Sequence, residues 1–249
     1  MAEGAQSWLT YCGAAPAPTE LLSRWNWDPW LLAAIAAGMV GYTMFAPRQS
    51  GRDGAFVALV LSLVVLFVSP FCALGAALFT ARVVHHLALV FVVAPLLVAL
   101  WAEAFRRVGG SLALWTALQA LVFWAWHVPA LYAAALSHDG LFWAMQVSIA
   151  LSAAVWWAKL LRAPAAGAVA SLLVAMVLMG LLGALLTFVP RPIYAPHLLT
   201  TQAWDLMPLE DQQIGGVVMW APGSLVYLLT AMAILFRRLF SSPAAGIAR

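Results

Sequence analysis

The chain has 249 residues, of which 65% are hydrophobic and 8% charged, with a formal net charge of +3. A soluble domain carries about a quarter charged residues, so this composition excludes an ordinary soluble enzyme and a disordered chain. Twelve Lys and Arg are too few for a phosphate-tracking surface, which excludes nucleic acid as a partner, and two cysteines make neither a disulfide framework nor a thiolate zinc knuckle.

What remains is an integral membrane protein whose main solvent is the lipid bilayer. Residues 1–26 read as an outer N-terminal arm, because Glu3 stands where a signal peptide would be basic and the apolar stretch behind it is broken. A bilayer crossing needs roughly 20 apolar residues of helix. Seven stretches qualify: 27–45, 56–74, 84–104, 112–135, 141–161, 168–188 and 214–236. The first opens on Asp28-Pro29, an N-cap acid followed by the helical position where proline is welcome. Residues 54–81 form almost one apolar run, interrupted by Ser69-Pro70 and closed by Arg82. The second span is therefore expected to end near Leu74, with 75–81 as an interfacial connector. Polar turns at 46–53, 106–110 and 137–140 separate other spans, and Pro222-Gly223 predicts a kink or local unwinding in the last. The expected fold is all-α: a seven-helix transmembrane domain over 27–238 and a tail over 239–249.

Basic residues flanking spans stay on the cytoplasmic side. With the first turn inside, Arg48, Arg52, Arg106, Arg107, Lys159, Arg162, Arg237, Arg238 and Arg249 share one side, against Arg24, Arg82 and Arg191 on the other. The N-terminus is then outside and the C-terminus cytoplasmic.

On this topology all five histidines fall in the outer half: His85 and His86 at the entrance of span three, His127 near the outer end of span four, and His138 and His197 in outer loops. Intramembrane ionisable side chains are functional candidates by default. His127, in Trp124-Ala125-Trp126-His127-Val128-Pro129, is the foremost; its structural alternative is a ring N–H bonded to a carbonyl of a neighbouring helix. His85 and His86 point about 100° apart on a helix, so one is expected to look inward and the other toward the headgroups, with Arg82 sharing a face with either. His138 and His197 read as ordinary residues of water-exposed loops. Cys72 near the outer end of span two and Met219 early in span seven add sulfur, and imidazole with thiolate or thioether suits copper, above all Cu(I). Cys12 and Cys72 are either a disulfide or free thiols that bind metal. In the last outer segment Asp211, Gly215 and Met219 recur every four residues on one helical stripe, and Gly215-Gly216 admits close approach of a backbone or a ligand.

Taken in order, Trp27-Asp28-Pro29, Ser69-Pro70, Val84-His85-His86 with Ala94-Pro95-Leu96-Leu97, Trp126-His127-Val128-Pro129 with Tyr132, Phe188-Val189-Pro190-Arg191-Pro192-Ile193-Tyr194 and Asp211-Gln212-Gln213-Ile214-Gly215-Gly216 with Met219-Trp220 resemble the seven-span CtaG family of caa-type cytochrome c oxidase assembly factors. The resemblance runs from about Trp25 to Arg237. It implies a protein of the bacterial plasma membrane that assists maturation of haem-copper oxidases and catalyses no turnover. Its partners would be cytochrome c oxidase core subunits, and its cargo copper for the catalytic subunit. The positions that match the family are His85 or His86, His127, and the stripe of Asp211, Gly215, Gly216 and Met219; the residues themselves offer His85, His86, His127, Met219 and Cys72 as a ligand set, with Arg82, Asp211, Gly215, Gly216 and Trp126 as supporting or partner-binding residues.

Two alternatives stay open. His86 and His127 on facing helices could ligate a b-type haem, and an assembly or accessory subunit could act by docking alone, without metal. A transporter is disfavoured by an almost uncharged membrane centre, and a retinal receptor by the position of Lys159, the chain's only lysine, at the inner end of span five.

Overall fold

The computed structural model describes residues 9–46 and 50–240. Glu3, Arg48, Arg249 and nearly all of the expected tail therefore lie outside the described residues, where no strand occurs and helix dominates.

Helix α1 (Pro29–Phe45) starts as the sequence dictates. The Asp28 side chain accepts from the Trp30 N–H and Pro29 fills the first turn. It buries none of its own side chains, and Tyr42 ties it to the next helix by stacking on Phe56 at 3.9 Å and donating to Asp53 Oδ1 at 2.8 Å. Helix α2 (Ser50–Leu63) continues as a π-turn over Val64–Val68.

The second span ends at Val68, not near Leu74. Ser69 adopts an extended conformation, as a residue before proline prefers, and caps the short helix α3 (Pro70–Ala77) by accepting from Phe71 N–H. Leu78 is extended again, and α4 (Phe79–Ala88) begins five residues ahead of the expected third span. The anticipated connector is thus the end of one helix and the start of another. A π-turn (Leu89–Val93) joins α4 to α5 (Ala94–Arg107). Both π-turns precede a proline, Pro70 and Pro95, whose missing N–H disrupts the preceding hydrogen-bond ladder.

Helix α6 (Leu112–Trp126) stops at His127 and Val128, and α7 (Pro129–Ala135) leaves at 75° to it. Val128 is extended ahead of Pro129, the same physics as at Ser69-Pro70. Then come α8 (Asp139–Leu160), α9 (Ala165–Phe188) and α10 (Pro208–Phe240). The local unwinding expected at Pro222 does not occur, since α10 is unbroken with Pro222 inside it.

Among the described residues, five helical stretches are long and apolar enough to cross a bilayer: Gly51–Val68, Phe79–Arg107, Asp139–Leu160, Ala165–Phe188 and Pro208–Arg237. The bent α6–α7 pair makes a sixth if counted as one crossing, and α1 is apolar but shorter. The tightest helix seam joins α9 and α10, where a Cβ on Gly216 would stand 2.7 Å from the Gly183 carbonyl oxygen. Only glycine permits that approach, and in a membrane such small-residue contacts hold helices together.

Over one end of the bundle lies the arm. Cys12 is disulfide-bonded to Cys72 at the start of α3, Trp204 donates to the Pro16 carbonyl, and Asn26 closes the end of α2 through the carbonyls of Phe67 and Val68.

Candidate functional site

The first turns of α4 hold two layers of polar groups with opposite character. At the Leu78 break the helix start has no cap of its own, and α10 supplies one. Asp211 Oδ2 accepts from Phe79 N–H at 2.6 Å, its Oδ1 accepts from Thr80 N–H at 3.1 Å, and Thr80 Oγ1 donates to the Asp211 carbonyl at 2.8 Å. The Ala77 carbonyl on the other side of the break is taken by Thr200 Oγ1 at 2.6 Å and by His197 Nδ1 at 3.4 Å. With its proton on Nδ1, His197 accepts the Tyr132 hydroxyl at Nε2, 2.7 Å away. Burial pushes the His197 pKa down to about 3, with a smaller push from Arg82, so the ring is neutral. Each of these groups is paired.

One turn deeper most of the nitrogens have no partner. Arg82, His85 and His86 are buried completely or nearly so, and Arg82 Nε and both Nη, together with both ring nitrogens of each histidine, have no hydrogen-bond partner in the protein. Arg82 lays its guanidinium over Phe142 at 5.3 Å and packs against Gly75. His127, at the C-terminal end of α6, donates Nδ1–H to the Phe123 carbonyl of its own helix at 2.6 Å, not to a neighbouring helix. That fixes the tautomer and leaves the Nε2 lone pair buried and unused. One turn beyond Phe142 on the same face of α8, Gln146 is buried with both amide atoms unpaired.

The rings sort into two pockets. His86 faces His127, with ring centroids 5.3 Å apart and planes nearly perpendicular, and Phe123 stacks on His127 at 4.6 Å. His85 turns to α2 and α3, edge-on to Phe67 at 5.0 Å and parallel to Phe71 at 6.1 Å. The expectation that one of the two looks toward the headgroups is therefore corrected: both are buried, on different sides of α4.

The other candidates disperse. Cys72 is consumed by the disulfide to Cys12, so its sulfur is no thiolate ligand in this state. Met219 is fully buried on the α10 stripe that begins with Asp211, and Gly215 lies against the Phe79 ring on that same stripe. Gly216 serves the α9 backbone, so both glycines are packing residues. Trp126 donates to Ser148 Oγ at 2.8 Å and pins α6 to α8. His138 is exposed in its loop, whereas His197, expected in water, is 2% exposed. Reading the sequence misses Gln146 and Phe142, whose only signal is their shared face on a helix otherwise apolar.

Among the described residues no three His, Cys, Asp or Glu side chains converge ready to hold a metal. The donor set nonetheless fits a low-coordinate soft cation: one imidazole oriented by a carbonyl through its other nitrogen, as metal-bound histidines usually are, faced by a second imidazole without protein partners. It fits a haem poorly, because ring centroids 5.3 Å apart leave no slot for a macrocycle between His86 and His127. Residues 36–241 match the model of the cytochrome c oxidase caa3 assembly factor family (Caa3_CtaG). No curated protein and no solved structure gave a match.

Proposed function

The chain belongs to the cytochrome c oxidase caa3 assembly factor family, and on that premise we propose that it holds Cu(I) transiently between His86 and His127 and hands it to a nascent oxidase core subunit, without catalytic turnover. The observation that carries the reading is the free Nε2 lone pair of His127, buried and aligned by the Nδ1–H bond to Phe123, beside a His86 ring that has no protein partner. In a bilayer each unsatisfied polar group costs several kcal/mol. A cluster of them is retained only where something else completes it.

Arg82 has a second part in this account. Its positive charge beside the imidazoles weakens the hold on a cation, which suits a carrier that must release its cargo. The seven-span topology follows if α1 and the α6–α7 pair each cross once. The outer placement of the N-terminus is supported by the Cys12–Cys72 disulfide at the histidine end, since disulfides persist on the oxidising side. The basic residues Arg52, Arg106, Arg107, Lys159, Arg162 and Arg237 cluster at the opposite end, as cytoplasmic loops require. The membrane would be the bacterial plasma membrane.

Purified protein loaded anaerobically with Cu(I) and desalted at neutral pH tests the proposal. The expected result is retained copper, lost in His127→Ala, and co-purification of an oxidase core subunit with the tagged protein. Co-purification without any copper retention would overturn carriage and leave docking as the mode of assembly.

A further inference from the structure

The end of the bundle opposite the histidines carries a feature that the copper proposal does not draw on. Helix α5 is interrupted at Trp101, whose backbone is non-helical (φ −125°, ψ 38°). Beside this break is a cleft of about 760 Å³ lined by Arg52, Arg106 and Arg107. Its one acid is Glu103, which is paired with Arg106 and stands 3.8 Å from Arg107. Arg52 gives one Nη to the Leu100 carbonyl at 2.7 Å and keeps its Nε buried with no partner. The neighbouring Asp53 is engaged by the Tyr42 hydroxyl. The cleft is therefore cationic, with one donor lacking an acceptor.

A second cleft of about 370 Å³ shares Arg52, Leu100 and Trp101 with the first and runs along α1 past Gly38, Gly41 and Phe45. Its walls are apolar apart from Arg52 and Tyr42, and added Cβ atoms at Gly38 and Gly41 would meet no protein atom within 4 Å. Helix α1 buries none of its residues against the rest of the protein. A polar, cationic chamber opening into an apolar groove of open-spaced glycines has the shape of an amphiphile with an anionic head. Arginine suits the planar, multi-oxygen geometry of a phosphate diester, and basic pockets between transmembrane helices select anionic headgroups.

We propose that this double cleft is a binding site for an anionic phospholipid, with its phosphate among Arg52, Arg106 and Arg107 and one acyl chain along the Gly38–Gly41 face of α1. The lipid would fasten α1 to α2 and α5, where the protein's own packing is sparse. The site is remote from the histidine pocket, and its test is independent of copper.

Full-length protein in a zwitterionic detergent is titrated with fluorescent phosphatidylglycerol and, separately, with fluorescent phosphatidylcholine. Phosphatidylglycerol should bind at least several-fold more tightly, with roughly fivefold lost per arginine in Arg52→Gln and Arg106→Gln. Gly41→Leu, at a position where an added Cβ meets nothing within 4 Å, narrows the groove and should weaken the lipid while leaving both arginines in place. An excess of inorganic phosphate should compete poorly. Equal affinity for the two lipids, or no response to Arg52→Gln and Gly41→Leu together, would overturn the site. Displacement by phosphate combined with indifference to Gly41→Leu would overturn the lipid in favour of a free anion.

Discussion

The two polar layers at the start of α4 are separated by one helical turn and both reach into the protein interior, yet they differ in pairing. Around Leu78 the buried acceptors and donors are matched: Asp211 to Phe79 and Thr80, His197 to Tyr132 and Ala77, Thr200 to Ala77. Around Arg82 and His86 nitrogen after nitrogen is unmatched. A fold can hold itself together with the first kind of layer, whereas the second kind detracts from stability, and on the copper proposal a bound cation would complete it. On that proposal, free ring nitrogens and not burial would mark the functional histidines.

That contrast can be broken by substitution. The largest effect is expected from Cys12→Ser with Cys72→Ser, which opens a loop of 60 residues and should cost about 4 kcal/mol in the chain-entropy model, read as a fall in thermal midpoint in detergent. Asp211→Ala should follow at about 3 kcal/mol, because it strips two backbone donors of a charged acceptor inside the protein. In the unpaired layer the sign should reverse. Arg82→Met, which swaps an unpartnered buried charge for an apolar side chain, should raise stability by about 1–3 kcal/mol and tighten Cu(I) retention. Loss of stability on that substitution would show that Arg82 belongs to the architecture. His197 sharpens the contrast through pH. Its pKa is lowered to about 3 in the fold, against about 6.5 in the unfolded chain. The unfolded state therefore binds the proton first as pH falls. Stability is whole above about pH 6.5 and declines toward pH 3 by up to about 1.4 kcal/mol per pH unit. In His197→Phe that part of the slope should vanish from denaturation curves taken at successive pH values.

Much of the fold was legible from apolar run lengths, and the sequence singled out His127 and Asp211, both of which the structure buries. Three things were not legible. The break at Leu78 has no local signal, since an extended Leu in an apolar run is created by Asp211, more than 130 residues away. Burial of His197 in a polar outer loop depends on Tyr132 and Ala77 from two other elements. The different directions of His85 and His86 could be anticipated from helical geometry, but which of them meets His127 is decided by the packing of α4 between α3 and α10. The break at Ser69-Pro70, by contrast, was written in the sequence, and the apolar run that continues on either side of it obscured its weight.

The central claim is that His86 and His127 together form the unsatisfied donor pair that receives the metal. X-ray absorption on the Cu(I)-loaded full-length protein, alongside His86→Phe, His127→Phe and His197→Phe, tests it most directly. The account predicts imidazole nitrogen scattering around copper in the wild type and in His197→Phe. In His86→Phe and His127→Phe the bound copper should be lost while the fold is intact. Copper that stays bound with an unchanged nitrogen shell in both of those variants would contradict the account.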